Sequence, residues 1–298
     1  MTTIEIGDRD ISHVNLDALM ESSARDVNAL LGELFAEDAE RAPGWQRLMA
    51  SIRYSLLQEG AKRFRPTLAL LSADALGADR ARVLPFAAAV ECVHTYSLIH
   101  DDLPAMDNDD FRRGLPTNHK KFDDSTAILA GDALLTDAFA IVGEAYAEMP
   151  EVALRAVVEL SKAAGSQGMV GGQAIDIAAK TTALDLEDLR LLHLLKTGAL
   201  IRVAAVGAAI VSEATDDQIE DLSDFSSALG LAFQVADDLL DYSQERPESG
   251  SYCALLGPEK TREFLIELTD EALEAIIDWD QKADALRALA EFNRDRIR

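Results

Sequence analysis

Apolar residues recur at intervals of three and four along almost the whole chain, and no run sustains the two-residue alternation of a half-buried strand. The first helical pattern covers residues 16–41. There Leu16, Leu19, Val27, Leu30, Leu31 and Leu34 line one face until Pro43-Gly44 stops it. A second helix is expected over 45–57. The basic turn Gly60-Ala61-Lys62-Arg63-Phe64-Arg65-Pro66 follows, and Pro66 suits the opening of a helix over 67–76, where its missing N–H is not needed. Residues 79–103 form a long pattern with Val83, Phe86, Val90, Val93, Leu98 and Ile99 around most of its circumference, so this helix should be buried on most sides. Further helices are expected over 125–147, 150–165, 185–213, 215–243, 259–277 and 279–292. Gly165, Gly168, Gly171 and Gly172 cluster around Met169-Val170, as at a break or a close approach of two helices.

About ten helices, with no composition shift, linker or solenoid repeat between halves, lead to one all-α domain over residues 1–298 with a flexible segment at 1–15. The alternating βα pattern, the Gly-rich phosphate loop and the dinucleotide fingerprint are missing, which removes P-loop ATPases, kinases and Rossmann dehydrogenases.

Composition narrows the partners. The chain of 298 residues carries 53 acids against 28 Lys plus Arg, a formal charge of −25, yet 48% of it is hydrophobic, enough to fold. Such a charge disfavours nucleic acid or an anionic membrane as partner, and an anionic ligand would need a local basic patch or bound cations. The start of the chain has no basic or apolar leader pattern, and the longest apolar run, Val203 to Val211, is shorter than a bilayer span. A soluble, cytoplasmic protein without membrane insertion is expected. Cys92 and Cys253 are too few for a disulfide framework and should be small buried hydrophobes.

In so acidic a chain an Asp pair is weak evidence. Asp216-Asp217 follows Thr215, and Asp123-Asp124 precedes Ser125, so helix capping explains both. Asp101, Asp102 and Asp107 differ because they end an apolar helix, and Asp237, Asp238 and Asp241 because they lie in an apolar run. Asp237 and Asp241 share a helical face about 6 Å apart along the axis, while Asp101 and Asp107 would be about 9 Å apart, a distance for adjoining ions. Solvated helix ends would give the same pattern. If the clusters do bind, oxygen ligands without Cys favour a hard cation, and magnesium suits carboxylates shared with phosphate.

The basic groups fit that idea. Lys62, Arg63 and Arg65 crowd one turn, and Arg112-Arg113-Gly114 follows the first acidic cluster; Arg grips phosphate bidentately and Lys acts as a point charge, although a solvated basic corner is the plainer reading. His94 lies seven residues before Asp101, on nearly the same face. Lys196-Thr197 sits among Leu191, Leu192, Leu194 and Leu195, where a lysine either snorkels to water or neutralises a buried ligand oxygen. Phe233 and Gln234 share the face of Asp237.

Seven motifs in this order, spread over about residues 28–292, make the sequence resemble the trans-isoprenyl diphosphate synthases, especially bacterial farnesyl diphosphate synthases. They are the basic turn, Ser97-Leu98-Ile99-His100-Asp101-Asp102-Leu103-Pro104-Ala105-Met106-Asp107, Arg112-Arg113-Gly114, Gly131-Asp132-Ala133-Leu134, Gly172-Gln173-Ala174-Ile175-Asp176, Lys196-Thr197-Gly198 and Phe233-Gln234-Val235-Ala236-Asp237-Asp238-Leu239-Leu240-Asp241. The resemblance implies an isoprenoid synthase bundle around a deep cavity, usually a homodimer, that condenses isopentenyl diphosphate with dimethylallyl or geranyl diphosphate. By position it implies Asp101, Asp107 and Asp237 as principal ligands of three Mg²⁺ ions, with Asp102, Asp238 and Asp241 in support. Arg112 and Lys196 would hold the allylic diphosphate, and Lys62, Arg65, His94, Arg113 and Phe233 the isopentenyl site. Thr197 and Gln234 would flank the reacting carbons, with Gln173 as a helper. Tyr96 and Ser97, five and four positions before Asp101, would floor the tail cavity and limit the product to farnesyl diphosphate.

Two departures stand out. Ala61 replaces a glycine, and the segment Tyr242 to Tyr252 lacks the family's lysines, with Arg246 its only positive residue. The alternatives are a geranyl or geranylgeranyl diphosphate synthase, an atypical prenyl-coupling enzyme or terpene cyclase, and a non-catalytic regulatory subunit that keeps the fold.

Overall fold

The computed structural model describes residues 10–242 and 250–297. Among them α1 (Leu16–Leu34), α2 (Pro43–Leu56), α3 (Phe64–Leu76) and α4 (Arg80–Asp101) lead to a small hairpin, β1 (Phe111–Arg112) and β2 (Leu115–Pro116). Then come α5 (Asn118–Lys121), α6 (Asp124–Ala145), α7 (Pro150–Ala164), α8 (Met169–Ala179), α9 (Leu186–His193), a π-helical turn (Leu194–Gly198) and α10 (Ala199–Val211). α11 (Asp216–Leu240), α12 (Tyr252–Leu256), α13 (Pro258–Ala275), a 3-10 turn (Gln281–Ala283) and α14 (Asp284–Asp295) complete the bundle.

The most apolar helices lie innermost. α4 packs against α3, α6 and α10, and every residue of α10 from Val203 to Val211 is buried. Each fully buried Leu or Phe, such as Leu70 or Phe86, contributes roughly 1.5–3 kcal/mol through apolar area removed from water. Gly207 of α10 lets the Phe86 ring lie flush on the helix, because a Cβ there would fall 2.0 Å from ring atoms. Cys92 and Cys253 are both buried free thiols. Thr215 and Gln218 form a reciprocal capping box at the start of α11, and the Asp123 carboxylate accepts the Thr126 N–H, as expected for capping acids.

Several boundaries differ from the periodic pattern. α1 ends at Leu34 rather than 41 because the Asp38 carboxylate accepts the Glu40 N–H at 2.9 Å, a local turn that competes with helix. The hairpin carries no alternation signal because each strand has two residues; Arg113 and Gly114, with φ of 51° and 76°, supply its turn. The glycine cluster opens directly into α8. The helix expected over 185–213 is interrupted by the π turn, and the one expected from 279 starts at Asp284 after the 3-10 turn.

Two stretches, Asp124–Ala145 and Leu186–Val211, are long and apolar enough to cross a membrane, which a search for unbroken apolar runs misses. The second is 72% buried inside the bundle, as a core helix is.

Candidate active site

The C-terminal half of α4, one face of α8 and the π turn border a cavity of about 360 Å³. Its lining brings together Arg65, His94, Tyr96, Ser97, Asp101, Gln173, Lys196 and Thr197, with Met106, Met169, Val170 and Ile177 forming an apolar side. Glycines set this geometry. A Cβ on Gly172 would lie 2.2 Å from the Lys196 backbone nitrogen, and one on Gly230 would lie 3.0 Å from the Cα of Gly198. α8 and α11 therefore press on the π turn from two sides, and the extra residue of that turn re-aims Lys196 and Thr197 toward the cavity.

One polar end is a chain of acids and cations. The Gln173 amide donates to Asp101 Oδ1, and Lys196 Nζ lies 3.9 Å from Asp101 Oδ2 and 2.5 Å from Asp176 Oδ2. Lys180 Nζ donates to Asp107 Oδ1 at 2.6 Å. Burial pushes the Asp101 carboxyl up, Lys196 opposes that, and Asp107 adds to it. Asp102 turns away: it is buried and grips Arg112 bidentately, accepting from Nε at Oδ2 (2.9 Å) and from Nη2 at Oδ1 (2.6 Å). Arg112 and Arg113 line a smaller recess that adjoins the cavity at Leu98.

A second polar end is rich in cations. Arg65 Nη1 lies 3.3 Å from His94 Nε2, and Arg65 Nε is buried without a hydrogen-bond partner. Burial lowers the Arg65 pKa to about 10; Glu91 opposes the shift and Arg113 reinforces it. Burial and then Arg65, Arg113, Arg112 and Arg63 drive His94 well below the ordinary histidine value, so it stays neutral. A neutral imidazole beside Arg65, whose buried Nε has no hydrogen-bond partner, is the electrostatics of an anion site.

The acids of α11 have partners too. Arg296 Nη1 sits 2.8 Å from Asp237 Oδ1, its Nη2 donates to the Phe233 carbonyl at 2.8 Å, and its guanidinium lies 4.3 Å from the centre of the Phe233 ring. Phe233 also packs on Phe64 at 5.0 Å. Burial raises the Asp237 pKa against Arg296. Asp238 Oδ2 accepts the Tyr252 N–H at 2.6 Å, Asp241 is exposed, and Gln234 Nε2 reaches Asp237 Oδ2 at 3.4 Å. Lys62 is exposed at the start of α3. Arg246 lies outside the described residues, as does most of the lysine-poor segment.

The model of the Polyprenyl synthetase family matches residues 46–254, which carry the cavity, both polar ends and the acids of α11. The chain belongs to the polyprenyl synthetase family. A farnesyl diphosphate synthase of Micrococcus luteus is 43% identical over 266 residues, 85% of this chain and 91% of that one. The large subunit 1 of a heterodimeric geranylgeranyl pyrophosphate synthase of Arabidopsis thaliana is 43% identical over 265 residues, 83% of this chain and 71% of that one. A solved FPP/GFPP synthase from Zymomonas mobilis superimposes with a TM-score of 0.86 at 40% identity, covering 93% of this chain and 98% of that one. The bundle is thus the isoprenoid synthase fold, and head-to-tail prenyl transfer with Mg²⁺ dependence is the chemistry of the family.

Among the described residues no three His, Cys, Asp or Glu side chains gather tightly enough to hold an ion unaided. The donors nevertheless fit magnesium, which takes one or two carboxylates and completes its shell with phosphate and water oxygens. Asp101, Asp107 and Asp237 each hold an ammonium or guanidinium, positive charge where a cation would bind. The pattern along the chain does not single out Asp176, Lys180 or Arg296. Asp176 stands in a quoted motif, but Lys180 and Arg296 pair with acids 73 and 59 positions away, and nothing local marks them.

Proposed function

We propose that this polyprenyl synthetase condenses isopentenyl diphosphate with dimethylallyl or geranyl diphosphate, yields mainly farnesyl diphosphate and releases diphosphate. The observation that carries the reading is one cavity with two polar ends of different character, the Asp101–Lys196 chain and the Arg65–His94 pair, over an apolar side bounded by Tyr96.

Magnesium, held by Asp101, Asp107 and Asp237 together with the diphosphate, would supply the charge that draws the leaving group away. Asp102, Asp238 and Asp241 then act at one remove, Asp102 by orienting Arg112. Lys196 Nζ and Arg112 neutralise the departing diphosphate oxygens, and the allylic C–O bond breaks to leave a carbocation. Gln173 orients Asp101 by its hydrogen bond. Lys62, Arg65, His94 and Arg113 hold the second diphosphate, with Phe233 beside it, so that the double bond of isopentenyl diphosphate faces the cation. The new C–C bond forms, and a proton passes from carbon to the released diphosphate. Thr197 Oγ1 and the Gln234 amide shape the polar rim, while the apolar lining excludes water that would trap the cation. A homodimer would cover Ile128 and Leu129, large side chains exposed on α6.

Product analysis with Mg²⁺, isopentenyl diphosphate and each of dimethylallyl, geranyl and farnesyl diphosphate tests the reading. A C15 product from the first two and little extension of the third supports it. Absence of coupling, or turnover in Asp101→Ala equal to that of the parent at limiting Mg²⁺, would overturn it.

A further inference from the structure

Arg63 lies between Lys62 and Arg65 in sequence, yet it faces the opposite way. It is 3% exposed and takes a φ of 50° at the position that caps α3. A glycine would adopt that backbone without steric conflict, so the turn by itself does not call for an arginine. What the side chain adds is a set of long-range bonds. Nε donates to Asn28 Oδ1 of α1 at 2.9 Å, Nη2 donates to the Leu56 carbonyl that ends α2 at 2.5 Å, and Nη1 pairs with the Glu91 carboxylate of α4.

Glu91 is itself 3% exposed, so the two charges cancel inside the bundle. Arg63 is thereby taken out of the cation cluster, while Arg65 keeps a buried Nε without a partner. Glu91 also stands three residues before His94, on the same face of α4. The Arg63–Glu91 pair therefore fixes the gap between the start of α3 and α4, the gap across which Arg65 and His94 meet at 3.3 Å. Removing one partner of such a pair leaves an uncompensated buried charge and lets the gap drift.

We infer that Arg63 and Glu91 are positioning residues for the second diphosphate: their buried pair holds the left-handed turn that presents Lys62 and Arg65 to it. The inference rests on the proposed role of Lys62 and Arg65. It separates a binding residue from its support within a single basic turn.

Steady-state kinetics with each substrate varied in turn provides the test. Arg63→Gly keeps the turn and removes the clamp; it should raise KM for isopentenyl diphosphate at least about tenfold, with KM for the allylic diphosphate within about twofold. Glu91→Gln keeps a hydrogen bond and loses the charge, so about a threefold selective rise is expected. Lys62→Ala tests the underlying site. An unchanged KM for isopentenyl diphosphate in Lys62→Ala would sink the second-diphosphate reading and this inference with it. A raised KM in Lys62→Ala with an unchanged one in Arg63→Gly, or a parallel rise for both substrates, would overturn the positioning role alone. If Arg63→Gly does not fold, Asn28→Ala removes one acceptor from the exposed side, and the same selective or unselective pattern decides.

Discussion

Arg296, just past the end of α14, reaches Asp237 on α11 and places Nη1 2.8 Å from Oδ1 while its guanidinium stacks on Phe233. The contact ties the last turn of the chain to an acid that the proposed mechanism gives to magnesium. Cation and guanidinium then compete for one carboxylate. Arg296→Gln should lower the Mg²⁺ concentration for half-maximal thermal stabilisation in the presence of inorganic diphosphate. The expected factor is about fivefold, since a partly exposed pair is worth ~1 kcal/mol or less. An unchanged Mg²⁺ dependence of Tm would show that the two do not compete.

Gly172 makes a second prediction independent of metal. A methyl group there would come 2.2 Å from the backbone nitrogen of Lys196, and backbone cannot yield as a flexible side chain can. Gly172→Ala should destabilise the fold by roughly 1–3 kcal/mol and lower Tm by several degrees. Turnover should fall further than stability alone explains, because the strain lands on the turn that carries Lys196. Calorimetry beside kinetics below Tm separates the two effects.

The difference between Gly172 and Arg296 shows what a linear pattern can carry. The acidic ends of α4 and α11 are legible because acids in apolar surroundings violate the helical pattern, and the fold class is legible because the apolar period persists through nearly every segment. The Gly165–Gly172 cluster announces a close approach without naming its partner, which the fold reveals as the π turn. The turn itself leaves no trace, since one extra residue in a run of leucines does not disturb the apolar count. The hairpin escapes because two-residue strands have no period. Arg296–Asp237 and Lys180–Asp107 are tertiary pairings whose partners become neighbours only after the bundle closes.

His193 gives the protein a pH-dependent stability term. Burial lowers its pKa to about 4, Asp176 opposes the shift and Lys196 adds to it, while the ring packs on Tyr252 at 5.3 Å. The folded form therefore binds fewer protons than the unfolded form, whose histidine titrates near 6.5. Stability is full above the unfolded value and declines as pH falls from about 6.5 toward 4. At pH 5.5 the loss from this group is about 1 kcal/mol relative to neutral pH. Urea unfolding of the parent and His193→Phe at pH 7.5 and 5.5 should show the gap between them shifting by that amount in favour of the variant. Parallel curves would mean that His193 becomes protonated without cost.

In the proposed reading, product length turns on Tyr96. The ring is 5% exposed, borders the cavity and meets His100 edge-on, with centroids 5.7 Å apart and planes at 83°. His100 is pinned in turn: its Nε2 lies 3.0 Å from the Ile128 carbonyl, and a Cβ on Gly131 would fall 2.1 Å from the same nitrogen. With its neighbour fixed, Tyr96 has little room to swing aside, and a close-packed wall admits another isoprene unit only by costly displacement. Farnesyl diphosphate should therefore be a poor allylic substrate for the parent, and Tyr96→Ala should shift the products to C20 or longer. Tyr96→Phe separates ring from hydroxyl. The phenol oxygen is buried without a hydrogen-bond partner, and burial pushes its pKa up to about 12, so its loss should keep the C15 limit and raise stability by roughly 1 kcal/mol. Chromatography of the dephosphorylated products decides: a dominant C20 product from the parent, or an unchanged C15 limit in Tyr96→Ala, would move the length stop to another wall of the cavity, whose lining also includes Ser97, Met106, Met169, Val170 and Ile177.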